Sequence, residues 1–292
     1  MVPADVRKMV GSRSFALSCV LIVACAPVRG PTLEETSRQP SLRVMTYNIQ
    51  AGEGKLENVA QTIRRFSPDI VGLQEVDVHW SARSAFADQA TVLAGMLGMQ
   101  QRFARIYQIP AEDSTKPPRE YGVAILSRCP IVSFTNHMLT RLSTQDSNAA
   151  PAPMPGFLES AVDVGGMRIR VFNTHLDYRT DPAVRRQQVS EMLAIIGAAA
   201  VPTLLMGDMN APPEAPELQP LFARLKDSWL GHVEAGLTYP ASGPVRRIDY
   251  VFTSSQFVAR SASVPLTLAS DHRPVVADLV LSANPSARLS CN

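Results

Sequence analysis

The stretch that decides the fold class reads RFARIYQI (102–109), YGVAILS (121–127), PIVSFTNHML (130–139), FLESAVDV (157–164) and MRIRVFNTHL (167–176). These five apolar runs follow one another with no long helical pattern between them. Short runs bounded by turn residues are typical of β-strands. Because consecutive strands without a crossover helix pair antiparallel, this half of the chain predicts a largely antiparallel sheet.

Strands and helices alternate on both sides of this stretch. We therefore expect an α+β fold, a four-layer α/β sandwich in which two mainly antiparallel sheets pack face to face with outer helices. The segment STQDSNAAPAPMPG (143–156) is predicted to be a mobile loop. The flanking strands are predicted at 42–49, 69–76, 202–210, 247–252, 257–264 and 274–281, and the helices at 56–66, 88–97, 182–199 and after PPEAPE (212–217).

The N-terminal segment has the layout of a secretory signal. Arg7, Lys8 and Arg13 precede an apolar stretch (15–24) that is shorter than a typical transmembrane helix. Within it, IVAC (22–25) resembles the lipobox of bacterial lipoproteins, in which cleavage occurs before the lipidated cysteine. Ordinary cleavage after a small residue and a retained anchor are the alternatives. The predicted organisation is a lipoprotein-type signal peptide (1–24), a tether (25–40), one domain (41–283) and a tail (284–292).

This organisation predicts an exported monomer at the periplasmic side or the cell surface, held at the membrane by a lipid on Cys25; a secreted soluble protein is the alternative. Cleavage before Cys25 leaves 25 basic and 25 acidic residues, so the mature chain carries no net charge. Long-range attraction to polyanions is therefore weak, and nucleic acid is a possible but disfavoured partner. Cys129 and Cys291 either form a disulfide in an oxidising compartment or remain a buried thiol and a free one.

Polar residues interrupt the apolar runs at the ends of many predicted strands. Each of them alone has an ordinary structural explanation, such as a turn or a solvated edge. Together they supply four carboxylates, two amides and two imidazoles, and oxygen ligands without thiolates are what Mg²⁺ or Mn²⁺ requires. A cation of this kind commonly acts on phosphate esters. The set comprises Asn48, Glu75, His175, Asp208, Asn210, Asp249, Asp271 and His272.

Seven motifs in a fixed order resemble the endonuclease/exonuclease/phosphatase superfamily, which has the deoxyribonuclease-I-like fold. The resemblance covers nearly the whole predicted domain and implies a divalent-metal-dependent hydrolase of phosphate esters, either a phosphodiesterase or a phosphatase. The motifs are TYNI (46–49), LQEV (73–76), YGVAILSR (121–128), NTHLD (173–177), GDMN (207–210), RIDYVF (247–252) and SDHRPV (270–275).

On the metal side, the resemblance implies that Glu75 is the principal ligand of Mg²⁺, with Mn²⁺ as an alternative. Asn48 would lie beside it and also contact substrate, and Asp271 would complete the metal side. Many nuclease-type members carry a further acid where this chain has Gln50. A neutral amide is a poor ligand for a second cation, so the sequence favours one metal.

On the phosphate side, the resemblance implies that Asp208 and Asn210 orient the attacking water and hold the scissile phosphate. Asp249 would hydrogen-bond His272, fix its tautomer and favour its charged form. His175 would lie near the leaving oxygen, as a proton donor or only as a hydrogen-bond donor.

Fold and chemistry do not select a substrate in this superfamily. A nuclease acting on DNA or RNA and a phosphodiesterase acting on sphingomyelin or phospholipid head groups remain alternatives, and a catalytically inactive binding module is the third. Arg83, Arg119 and Tyr121 are further residues that either reach substrate or serve only in packing and solvation.

Overall fold

Twelve strands and four α-helices make up the described part of the chain, which in this computed structural model comprises residues 41–53, 55–111, 113–198, 200–284, 289 and 291. The predicted signal peptide (1–24) and tether (25–40) lie outside the described residues. No helix in the described part is long and apolar enough to span a membrane. The helices are α1 (Leu56–Phe66), α2 (Gln89–Leu97), α3 (Ala183–Ile196) and α4 (Gln219–Arg224).

The strands form two six-stranded sheets of similar design. The first has the order β11-β12-β1-β2-β4-β3, and the second has the order β5-β6-β7-β8-β10-β9. In each sheet one central pair is parallel (β1 with β2, β7 with β8) and every other pair is antiparallel. The strands are β1 (Leu42–Asn48), β2 (Ile70–Val78), β3 (Gln100–Ile109), β4 (Arg119–Ser127), β5 (Ile131–Arg141), β6 (Ala152–Val164), β7 (Met167–His175), β8 (Thr203–Asp208), β9 (Lys226–Asp227), β10 (Asp249–Thr253), β11 (Phe257–Ser263) and β12 (Val275–Leu281).

Three apolar clusters hold four layers together. The central cluster lies between the sheets and includes Val44 and Ile125 from the first sheet and Val171 and Met206 from the second. A second cluster packs α1 and α2 on the outer face of the first sheet. A third packs α3 and α4 on the outer face of the second sheet. The α+β sandwich predicted from the strand pattern is therefore confirmed.

The strand register brings the polar strand ends together. His175 at the end of β7 lies beside Asp208 at the end of β8, and Asp208 lies beside Asp249 at the start of β10. In the first sheet, Asn48 at the end of β1 lies beside Gln74 in β2. The parallel pairs end at the same edge, which is where ligands bind in many open sheets.

The predicted loop at 143–156 is wrong at its C-terminal end, because β6 begins at Ala152 and pairs with the last residues of β5. Proline has no backbone N–H to donate to a neighbouring strand. Pro153 and Pro155 are tolerated in β6 because β6 pairs with β7 only from Leu158 onward, so no hydrogen bond to β7 is required of either proline. In the predicted tail, a disulfide joins Cys291 to Cys129.

Candidate active site

An open cavity of about 370 Å³ lies at the ends of the central strands, and six of the eight predicted site residues line it. The other two, Asn48 and Asp249, are buried behind its wall and bind lining residues. The structure therefore brings together the whole predicted set. The six lining residues are Glu75, His175, Asp208, Asn210, Asp271 and His272.

Glu75 reaches the cavity through an irregularity in β2. The pairing of β2 with β4 shifts register between Leu73 and Val76, so two residues fill one position of the ladder. Glu75 has a φ of 57° there, which is uncommon for a residue with a side chain. β-bulges often re-aim a side chain next to an active site. Here the bulge turns Gln74 into the protein and Glu75 toward the cavity.

Asn173 in β7 supports this bulge from the opposite sheet. Its amide nitrogen donates to the carbonyl oxygens of Leu73 and Ala124, both at 2.8 Å. Its Oδ1 accepts from Nε2 of Gln74 at 2.7 Å, and the same Nε2 donates to Thr46 at 3.0 Å. All of these side chains are fully buried. This network joins the two sheets directly beneath Glu75.

Glu75 and Asp271 form an acidic wall that fits a cation. Burial raises the pKa of Asp271, the neighbouring His272 lowers it, and the charge of Glu75 raises it again. Two carboxylates that disfavour each other's charge are stabilised when a cation lies between them. Their oxygen-only donors suit Mg²⁺ or Mn²⁺. The donor chemistry of this wall therefore fits the implied metal.

Asn48 is fully buried and is not part of the cavity lining. Its Nδ2 donates to Glu75 at 2.9 Å and to Asp208 at 3.1 Å, whereas its Oδ1 accepts from the backbone nitrogen of Gln50 at 3.1 Å. In this arrangement Asn48 positions two carboxylates and turns its oxygen away from them. Its function as a metal ligand stays a prediction.

Asp208 occupies the centre of the site. Its Oδ2 lies 3.5 Å from Nε2 of His175 and 3.7 Å from Nε2 of His272. Its Oδ1 accepts from the backbone nitrogen of Asn210 at 2.8 Å, and Nδ2 of Asn210 donates to the carbonyl of Leu176 at 3.0 Å. These bonds hold Asn210 at a φ of 51°. One carboxylate thus faces both imidazoles that the sequence predicts.

Asp249 and His272 form a buried hydrogen-bonded pair, with Nδ1 of His272 at 2.9 Å from Oδ2 of Asp249. Burial opposes the charge of the imidazole, but Asp249 and Asp208 outweigh it and raise the pKa of His272 to about 10. Burial also raises the pKa of Asp249; His272 opposes this and Asp208 adds to it. The ring of Tyr239 lies 4.8 Å from the imidazole and covers it. The arrangement favours a charged His272 at neutral pH.

Asp208, Asp249 and His272 also offer ligand atoms that lie within 4.8 Å of one another, so they are a second candidate place for a cation. A metal there would need the nitrogen of His272 or compete with its bond to Asp249. The oxygen donors of Glu75 and Asp271 suit a hard cation better than this mixed set does.

Sequence reasoning missed the supporting residues and one wall of the cavity. Asn173 belongs to the NTHLD motif (173–177), but only His175 of that motif was predicted to be a site residue. Tyr107 and Arg141 line the cavity, and no local pattern separates either from an ordinary strand residue. They reach the site because their strands end there.

The three further residues that the sequence suggested as possible substrate contacts lie in different positions. Tyr121 lines the cavity. Arg83 binds the buried carboxylate of Asp77 at 2.8 and 2.9 Å, lies over the ring of Tyr121 at 5.8 Å and is not part of the lining. Arg119 donates to the carbonyl of Pro110 at 3.0 Å, away from the cavity.

Known proteins share this fold, and some of them have limited sequence identity with this chain. A solved endonuclease/exonuclease/phosphatase from Beutenbergia cavernae is 27% identical, with a TM-score of 0.64 over 83% of this chain and 72% of that chain. The mannosyl-6-phosphatase Bt3783 of Bacteroides thetaiotaomicron is 20% identical, with a TM-score of 0.61 over 82% of this chain and 100% of that chain, which shows a common fold.

Protein cwh43 of Schizosaccharomyces pombe is 26% identical over 185 residues, which are 61% of this chain and 17% of that protein. The chain thus matches only a small part of this relative. The sequence profile of the Endonuclease/Exonuclease/phosphatase family matches residues 45–272. That range runs from the first strand to His272 and includes the whole candidate site. The chain therefore belongs to the Endonuclease/Exonuclease/phosphatase family, whose members hydrolyse phosphate esters.

Proposed function

We propose that this protein is a Mg²⁺-dependent hydrolase of phosphate esters, acting as a phosphodiesterase or a phosphatase. One observation carries the proposal: the acidic wall formed by Glu75 and Asp271 opens into the same cavity as Asp208, His175 and His272. A cation and a phosphate could bind side by side there. No cysteine or serine is among the described residues that line the cavity, so neither of these common nucleophiles offers a competing chemistry there.

Glu75 and Asp271 would hold the cation, with Asn48 as the further ligand that the family resemblance implies and Mn²⁺ as an alternative metal. The bound cation would neutralise phosphate oxygens and stabilise the charge that develops on them during reaction. Asn48 would keep Glu75 and Asp208 in place through its two hydrogen bonds.

Asp208 would accept a proton from the attacking water, because its Oδ2 lies at the centre of the site. The water oxygen forms the new bond to phosphorus, and the bond from phosphorus to the alcohol oxygen breaks. Charged His272 would donate a hydrogen bond to the phosphate, and Asp249 would maintain that charge. His175 would serve the departing oxygen, as a proton donor or as a hydrogen-bond donor, and Asn210 would help to hold the phosphate.

Nucleases and lipid phosphodiesterases are the alternative functions. The mature chain predicted from the sequence has no net charge, which disfavours duplex DNA. Only two tryptophans are present in the whole sequence, and they give little support to a membrane-penetrating sphingomyelinase. An inactive binding module would be expected to have lost part of the acidic or imidazole set, and none of the eight residues is missing.

Activity should be screened with the purified full chain on DNA, RNA, sphingomyelin, phosphatidylinositol and bis(p-nitrophenyl) phosphate, with Mg²⁺, with Mn²⁺ and with EDTA. Hydrolysis of at least one ester with Mg²⁺ and none with EDTA is the expected result. Equal hydrolysis in EDTA would contradict the proposal. Absence of hydrolysis together with tight Mg²⁺ binding would favour the binding module.

We also propose that the protein is an exported monomer that a lipid on Cys25 holds at the membrane. The Cys129–Cys291 disulfide supports an oxidising compartment, because such bonds are rare in the cytosol. Cys25→Ser should abolish lipidation and release the protein from the membrane fraction, since a hydroxyl cannot form the thioether. Unchanged fractionation and an unmodified N-terminal peptide by mass spectrometry would contradict this location.

A further inference from the structure

Arg141 carries a buried positive charge into the wall of the cavity. It is the last residue of β5, it is 6% exposed, and it lines the cavity together with His175. Nη1 donates to the carbonyl of His175 at 2.8 Å, and Nη2 donates to the carbonyl of Gly156 at 3.0 Å. Nε is buried and has no hydrogen-bond partner among the residues that the structure describes. Arg141 therefore lies next to the proposed reaction site with part of its donor capacity unused.

No carboxylate of a described residue forms an ion pair with this guanidinium. Asp177 is close enough to influence it, but that carboxylate binds the side chain and the backbone nitrogen of Arg179. Glu191 also influences it, but that carboxylate accepts from the backbone and hydroxyl groups of Thr140 at 2.6 and 2.7 Å. A buried charge without a counter-ion is costly. The two hydrogen bonds to backbone carbonyls do not explain why a charged side chain stands here, because a neutral amide could donate both.

The guanidinium remains charged at neutral pH. Burial lowers the pKa of Arg141 to about 10, and the neighbouring tyrosines and carboxylates oppose that effect. Gly156, with a φ of 117°, leaves room for the group, since a Cβ there would lie 3.1 Å from Nη2 and 2.2 Å from Cγ1 of Ile106. The absence of a side chain at Gly156 therefore makes room chiefly for Ile106, and the guanidinium packs beside it.

A hydroxyl group lies on the same wall of the cavity. The oxygen of Tyr107 accepts from the backbone nitrogen of Thr144 at 3.0 Å and from its hydroxyl at 3.2 Å. The hydroxyl proton of Tyr107 is then left to bind an acceptor. Tyr107 and Thr144 both line the cavity together with Arg141. This wall offers donors and positive charge, whereas the wall of Glu75 and Asp271 offers acceptors and negative charge. An anionic group is the complementary ligand.

We propose that Arg141 binds a second phosphate group of the substrate, so that the enzyme acts on phosphate esters that carry another phosphate close to the ester bond. This inference rests on the proposed function for the identity of the substrate. The anion site itself does not require catalysis. Arginine is suited to the task because its planar guanidinium binds phosphate oxygens through paired hydrogen bonds.

The anion site can be tested without cation, with inorganic phosphate as the probe. The full chain in EDTA is titrated with phosphate by isothermal titration calorimetry, for wild type, Arg141→Met and Arg246→Met. Arg246 is the matched control, because it also lines the cavity but is exposed and lies over the ring of Tyr239. Thermal unfolding of each variant shows whether it folds.

We expect Arg141→Met to weaken phosphate binding about 10- to 100-fold, as the loss of charge-assisted hydrogen bonds would. Arg246→Met should change the affinity less than about threefold. If Arg141→Met does not fold, Arg141→Lys replaces it and should show an intermediate loss, because it keeps the charge without the paired donors. Wild type that binds no phosphate in EDTA would overturn the proposal, as would equal losses in the Arg141 and Arg246 variants.

The link to substrate is tested by kinetics with Mg²⁺, using the p-nitrophenyl ester of thymidine 5′-phosphate with and without a 3′-phosphate. Arg141→Met should raise KM for the bisphosphorylated ester with little change in kcat and leave KM for the other ester unaltered. Equal effects on both esters would overturn the assignment of Arg141 to a second phosphate. Hydrolysis of neither ester would contradict the proposed function for esters of this kind but not the anion site, which the titration in EDTA decides independently.

Discussion

Nδ1 of His272 lies 2.9 Å from Oδ2 of Asp249; both residues are buried, with His272 in the lining of the cavity and Asp249 behind it. Asp249 begins β10, and His272 lies in the loop that precedes β12. The hydroxyl group of Ser270 fixes this loop by donating a hydrogen bond to the carbonyl of Asn48 at 2.7 Å. The imidazole therefore has one partner that determines its tautomer and leaves Nε2 directed toward Asp208. Two sheets contribute to a single hydrogen-bonded Asp–His unit.

Asp249 and His272 should act as one unit in turnover. His272→Ala is expected to lower kcat about 10²- to 10³-fold, which is typical of a lost hydrogen-bond donor to the charge that develops in the transition state. Asp249→Asn should retain the fold and the metal but leave the imidazole with a wrong tautomer or a lowered pKa. The double variant should be little worse than His272→Ala alone. A double-mutant cycle on kcat measures this, and additive losses would place Asp249 outside the unit.

The same pair predicts a pH dependence of stability. The pKa of His272 is raised from 6.5 to about 10 in the folded protein. Its charged form therefore stabilises the fold fully below pH 6.5, and this contribution is lost as the pH rises through 10. Urea unfolding in EDTA, compared between wild type and His272→Gln at a series of pH values, isolates the effect. The difference in unfolding free energy should shrink as the pH rises, and a constant difference would show that the imidazole is not charged.

Asn173 should matter for stability as well as for the position of Glu75. Asn173→Ala removes three buried hydrogen bonds that connect the two sheets. The expected loss is about 2–4 kcal/mol of unfolding free energy. Ser160→Ala is the matched control, because Ser160 is equally buried but its hydroxyl has no partner in the described part of the chain. It should change stability by less than about 1 kcal/mol. Equal effects of the two substitutions in urea unfolding would show that the network contributes nothing special.

The strand pattern was sufficient to predict the fold class and the set of polar residues at strand ends. Both depend on local periodicity and on motif order, which the sequence displays directly. The bulge that turns Glu75 outward was not predictable, because it depends on Asn173 from the opposite sheet. Arg141 was missed for a related reason: its burial, and its lack of an ion pair with any described carboxylate, arise only from tertiary packing. The start of β6 was missed because its prolines are typical of a loop, and the sequence does not show that this part of the strand pairs on one side only.

Glu75 provides the most direct test of cation-dependent hydrolysis. It lines the cavity beside Asp271, and Asn48 holds it at 2.9 Å. The measurement is the Mg²⁺ dependence of hydrolysis by wild type and Glu75→Ala, on the ester that the substrate screen identifies, with Mg²⁺ binding followed by calorimetry. Glu75→Ala should nearly abolish both hydrolysis and Mg²⁺ binding, whereas Asp271→Ala should weaken Mg²⁺ binding less completely. Hydrolysis by Glu75→Ala at the wild-type rate, with unchanged Mg²⁺ dependence, would contradict the assignment of the metal to this site.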